Sequence, residues 1–233
     1  MANFTHLGSM SNISWTTNLT IAIYLSVDFA WPLWILNIIV DNPAGRNSPD
    51  TPVWNTGYTS DPFTDCGQGV VSSGGELAIE QWYIQYPTVV NNRALSFHNY
   101  NQDNVGVFYS RFDIDTAFES CQLEDSGSGS GTGADPSVAT ASLSANSLLY
   151  GLLGSGYRNA PVTGSGFTML AEDDAGQYGA GIEYMIDTGA AGSKNVGWTQ
   201  SADDWAAIYT AFEVTAGGIA VPVMTDLARQ RRN

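Results

Sequence analysis

The chain has 233 residues, with eight Lys and Arg against 23 Asp and Glu, for a formal charge of −15. A chain this acidic is not a nucleic-acid binder that works by neutralising phosphates, which takes clustered cations. Charged residues make up only 13% and aromatics 12%, so there is enough apolar surface to fold, and a disordered polyanion is excluded too. The charge is uneven. Arg229, Arg231 and Arg232 fall in the last five positions, leaving −18 over residues 1–228 and +3 on the tip. That tip reads either as a cation that docks on an acidic neighbour, another copy included, or as a solvated end.

In chain order, residues 19–40 form the most apolar stretch. It is long enough to cross a membrane, but Asp28 sits at its centre, Pro32 breaks it, and no Lys or Arg flanks it before Arg46. The basic segment that opens a signal peptide is missing as well. Ile21, Ile23, Leu25 and Val27 alternate with Ala22, Tyr24 and Ser26, which predicts buried strands at 20–27 and 33–40. The prolines of 41–53 place that stretch in a surface loop, because proline has no donor for a ladder. Further strands are predicted at 77–86, 104–114, 147–153, 167–172, 179–187, 194–200 and 206–214, spaced by Gly, Pro, Asn and Asp clusters. No helical stripe longer than ten residues is free of Gly or Pro.

The expected fold is all-β: an antiparallel β-sandwich, jelly-roll-like, with extended N- and C-terminal arms. The arms are 1–18 and 215–233, and a single sandwich domain spans 19–214. The Gly/Ser stretch 125–136 is expected as a flexible loop within it. No internal repeat is visible.

Enzymatic constellations are sparse. His6 lies in the N-terminal arm and His98 in a loop, and Gly164-Ser165-Gly166 lacks the form of a nucleophile elbow. No catalytic residue is assigned. Asp113 and Asp115 share a strand face, with Glu119 four residues on, and faintly resemble the acidic core of laminarinase-like sandwich enzymes, with the third acid out of register. The same two aspartates could bind Ca²⁺ with loop carbonyls, or face water. Trp15, Trp54 and Trp82, in or near predicted loops, are the candidates for stacking on sugar rings; core filling is the competing reading. Cys66 and Cys121 fit one disulfide closing a 55-residue loop or two buried thiols, and their settings favour the thiols.

The last hundred residues carry a resemblance. Ser144-Ala145-Asn146-Ser147-Leu148-Leu149, Gly166-Phe167-Thr168, Glu183-Tyr184, Trp198-Thr199-Gln200-Ser201 and Trp205-Ala206-Ala207-Ile208-Tyr209-Thr210-Ala211-Phe212 resemble the end of a β-sandwich module of tailed-bacteriophage virion proteins and bacterial surface proteins. These motifs specify packing, with Trp198, Ile208 and Phe212 facing inward, and no site residue is carried over. The resemblance implies a non-enzymatic virion structural protein, a minor tail or tail-tip component, assembled in the host cytoplasm with other virion proteins and with itself. The alternatives are a capsid decoration protein, a carbohydrate-binding adhesin that meets a host-surface glycan, and a glycoside hydrolase. Ile219, Val221, Val223 and Met224, with Arg229, Arg231 and Arg232, are the expected assembly residues: an apolar strip that a lone domain leaves exposed, followed by the cationic tip.

Overall fold

A computed structural model describes residues 4–16, 20–25, 33–41, 53–55, 60–75, 77–85, 93–98, 105–114, 120–156, 161–173, 179–186 and 189–215. Its first strands are β1 (Phe4–Thr16), β2 (Thr20–Leu25), β3 (Leu33–Asp41), β4 (Val53–Asn55), β5 (Ser60–Pro62), β6 (Thr64–Val71), β7 (Leu77–Gln85), β8 (Arg93–His98) and β9 (Val105–Ile114). The later ones are β10 (Ser120–Gly133), β11 (Ser137–Ala139), β12 (Leu148–Ser155), β13 (Val162–Thr163), β14 (Thr168–Asp173), β15 (Gly179–Ile186), β16 (Asn195–Thr199) and β17 (Asp203–Thr215). All strand pairings are antiparallel, and no helix is long and apolar enough to cross a membrane among the described residues.

Two sheets have five strands, ordered β1-β9-β3-β7-β6 and β10-β17-β12-β15-β14; two smaller ones run β2-β8-β4-β5 and β11-β16-β13. One rule generates both halves. The opening strand pairs with the closing one, which pairs with the third, which pairs with the third from last. In the smaller sheet the second strand pairs with the next-to-last, and that with the fourth. This is jelly-roll order, and it occurs twice in a chain whose sequence shows no repeat.

The two large sheets face each other. Leu33, Ile35 and Ile39 of β3, Leu77 and Ile79 of β7, and Phe108 and Phe112 of β9 pack with Leu148 and Leu152 of β12, Ile182 of β15, and Ile208 and Phe212 of β17. Each sheet is buried on its other side too. Trp34, Leu36, Ile38 and Val40 join Val107 and Tyr109 in a second cluster. Leu149, Leu153, Ala207 and Ala211 join Val196 and Trp198 of the β11-β16-β13 sheet in a third. A strand with two dry faces has no polar side to show, so β3 reads as an apolar run broken only by Asn37 before Asp41, and imitates a membrane span.

One polar cluster sits in the shared core. The Tyr150 hydroxyl accepts a bond from Asn37 Nδ2 at 2.7 Å and lies 2.9 Å from Ser110 Oγ. Asn37 Oδ1 in turn accepts from Gln81 Nε2 at 2.8 Å. Three of the four residues belong to the first large sheet and Tyr150 to the second. Burial pushes the Tyr150 phenol up and keeps it neutral.

Two expectations change. Residues 4–16, expected as an arm, form β1, because pairing with β9 satisfies their backbone and seats Phe4 in the shared core. The tail beyond Thr215 lies outside the described residues. The stretch 125–136, expected as a flexible loop, is strand β10 as far as Gly133. Its Gly and Ser alternate at strand period. The glycine face lies under aromatic rings: a Cβ on Gly127 would meet Tyr209 at 2.6 Å, and one on Gly131 would meet Trp205 at 2.9 Å. The serine face turns to the first half, where Ser126 Oγ donates to the Cys66 carbonyl at 2.8 Å. Composition that spells coil in isolation is here a groove cut for two rings. Replacing Gly127 by Ala overpacks it, and chemical denaturation should show a loss of about 1–3 kcal/mol.

Tyr150→Phe strands the Asn37 amide N–H in a dry core and takes one partner from the Ser110 hydroxyl. It should cost about 1–3 kcal/mol in the same measurement, with little change in the denaturant slope.

Candidate functional site

The clearest buried ionisable group is on β15. Ala180 and Ile182 enter the shared core, so alternation turns Glu183 to the opposite face, toward β13 and β16. Gly151, its partner on β12, leaves room there: a Cβ would meet Val196 at 2.7 Å and Trp198 at 2.8 Å. Glu183 is fully buried. Its Oε2 accepts from the Gly164 N–H at 3.1 Å, and the Gly197 N–H also bonds the carboxylate. Those glycine backbones pack so tightly that a Cβ on Gly164 would lie 2.4 Å from the Gly197 carbonyl oxygen.

Gly164 and Gly197 also line a surface pocket of about 380 Å³, with Asp135, Ser165, Asn195 and Trp198 on its walls. Glu183 therefore stands behind the glycine wall of a polar pocket. Burial pushes its carboxyl up to about 8, against the partial relief of the two N–H bonds. Neither Glu183 Oε1 nor Trp198 Nε1 has a hydrogen-bond partner among the described residues. No second carboxylate or imidazole contributes to the shift, so the arrangement stores a proton and does not form an acid–base pair.

The sequence-predicted residues are scattered. Asp113 is exposed at the end of β9, its Oδ1 accepting from the Ile114 N–H at 3.0 Å; Asp115 and Glu119 lie outside the described residues. No group of three or more His, Cys, Asp and Glu fit to hold a metal occurs among the described residues, and Asp115, the expected partner of Asp113 for Ca²⁺, is not one of them. Trp82 is on strand β7, half-buried against the second cluster, with Nε1 donating to Glu80 Oε2 at 3.4 Å. It was expected near a loop. Alternation along a strand covered on both sides gives it a packing place. Trp15 and Trp54 fall on β1 and β4, and their side chains are outside what is described, as are Ile219, Val221, Val223, Met224, Arg229, Arg231 and Arg232. His6 packs its ring against Phe112 and Tyr184, at 5.4 and 5.1 Å. Cys66 and Cys121 are buried free thiols, both pushed up by burial, Cys121 to about 12. Sequence reasoning passed over Glu183, whose one sign is an acid at a strand position between apolar neighbours.

The raised carboxyl sets a pH dependence. Folded Glu183 keeps a proton that the unfolded chain releases near its ordinary value of 4.5. Its contribution is fully present below about pH 4.5, falls as pH rises to about 8, and is flat beyond. Glu183→Gln keeps an acceptor for the glycine N–H groups and cannot ionise. In denaturation series from pH 4 to 9 the native chain should lose stability relative to the variant as pH rises from about 4.5 to about 8, leaving the variant the more stable of the two at pH 9.

No family model matches the chain, and no curated protein does. Among solved structures, the crystal structure of the STIV MCP, a major capsid protein, matches with a TM-score of 0.35 and 10% identity over 93% of this chain and 98% of that one. Function is not transferred at that distance. The fold is an all-β antiparallel sandwich of jelly-roll type, and it is the strand order that fixes it.

Proposed function

We propose that this chain is a non-enzymatic structural protein of a virion, a shell subunit whose body is two tandem jelly rolls joined through their large sheets. The observation that carries this is the jelly-roll order found twice, with side-chain clusters packed on both faces of the central strands of each large sheet. Jelly rolls that serve as rigid bodies recur in viral capsids. Filled interiors leave the surfaces and ends as the places where function resides, which suits a subunit gripped by neighbours. The partners are then other virion proteins and further copies of this chain, and the place is the virion, built in the host cytoplasm. The body divides near residue 115 into two units that share one core, in place of the single 19–214 sandwich read from the sequence. A shell position accounts for the doubled body better than the minor tail or tail-tip position that the family resemblance implies.

Jelly rolls also serve lectins, and the polar pocket beside Gly164 and Gly197 gives glycan binding a specific location. Quantitative mass spectrometry and density maps of purified particles separate these readings. A shell subunit is present in many symmetry-related copies. A handful of copies at one vertex or at a tail tip overturns the shell position. Absence from particles, with glycan-array binding lost on Asn195→Ala, moves the protein to the lectin reading.

A further inference from the structure

We propose that the outer edge of β14, with the apolar groove beside it, receives residues 219–224 of a second copy of this chain as an added strand. The proposal rests on the assembly role above and names the contact through which it works.

The receiving side is a sheet edge. β14 ends its five-stranded sheet and is hydrogen-bonded to β15 alone among the described strands. Such an edge presents backbone donors and acceptors that another strand can pair. Beside it runs a groove of about 470 Å³ lined by Pro161, Val162, Met169, Leu170 and Glu172. Val162 is 63% exposed, the most exposed large apolar side chain among the described residues. An aliphatic side chain that open to water is in place for a contact.

The occupant is written in the sequence. Eighteen residues follow Thr215, where β17 ends. After Ala216-Gly217-Gly218, Ile219, Val221 and Val223 recur at strand period and put three branched side chains on one face. Pro222 bars this segment from the centre of a sheet but not from an edge, where the position without an N–H faces away from the partner. Charge agrees. Residues 216–233 carry +2 and residues 1–215 carry −17, with Glu172 in the groove itself.

Geometry assigns the segment to a second copy. β12 and β15 stand between β17 and β14, so the gap is three strand spacings, about 14 Å. The four steps from Thr215 to Ile219 span at most about 14 Å. Nothing remains for the turn that would bring a chain's own tail onto its own β14.

The test uses full-length protein. Val162→Cys and Val223→Cys are made in separate chains and mixed under mild oxidation, the native thiols being buried. A disulfide-linked dimer joining the two variants is expected, and none when either is oxidised alone. In a chain carrying both substitutions, linkage within one molecule overturns the proposal, as does no linkage in the mixture. Val221→Asp should weaken self-association at least tenfold by light scattering. Oligomers indifferent to Val221→Asp overturn this contact and leave the assembly role standing; a native chain monomeric at every concentration removes both.

Discussion

The Tyr150 hydroxyl is a polar group of the second half that reaches into the apolar seam of the first, and the two halves align around it. Hydrophobic contact alone is indifferent to small slips between two flat, greasy sheets. A hydroxyl that must meet Asn37 and Ser110 in a dry medium is not indifferent, because a slip leaves the desolvated Asn37 amide N–H unpaired. Gln81 extends the cluster by holding the Asn37 amide oxygen, which fixes which end of that amide faces Tyr150. Four residues thus convert a non-directional attraction into one relative placement. The aromatic rings around them, Phe112 edge-on to Tyr150 at 6.0 Å among them, add shape to that placement.

From this seam outward the molecule is layered, and the layering explains what the sequence shows and what it hides. The strand character of 33–40 and 206–214 is legible because β-branched and aromatic residues crowd there. So are the inward directions of Trp198, Ile208 and Phe212. The turn at 144–147 went unread: Asn146 takes a left-handed φ of 63°, a conformation asparagine tolerates, and Ser147 Oγ donates to Glu124 Oε2 at 2.7 Å. What stays hidden is pairing. That β1 joins β9, or that β10 joins β17 in the same order after residue 115, depends on partners 70 to 110 residues apart, and the halves achieve it with different side chains. β10 hides for another reason. Its glycines are strand-compatible only because Tyr209 and Trp205 supply from the neighbouring strand the bulk that β10 lacks.

The candidate site follows the same logic. Acids are visible in a sequence, but their surroundings are not, and the acids that stood out, Asp113 with its neighbours, did so by proximity in the chain. Glu183 is set apart by what lies over it: a three-stranded sheet close enough, through Gly151 and Gly164, to exclude water from a carboxyl. Two backbone N–H groups soften the burial without cancelling it. A proton held this way costs nothing in acid and becomes a liability in base. The stability of the second half is therefore tied to the pH around it, while the Tyr150 seam stays neutral throughout.

The burial of both faces of the central strands β3 and β12 has one more consequence. In an ordinary two-layer sandwich, alternate residues of each strand look into solvent and drift freely between relatives. Here β3 from Leu33 to Val40 and β12 from Leu148 to Ser155 have no such positions, so sequence change must collect in the edge strands, the outer sheets and the connections that cap them. Two proteins of this architecture can then lose all recognisable likeness at their rims while keeping a nearly fixed volume at their centre.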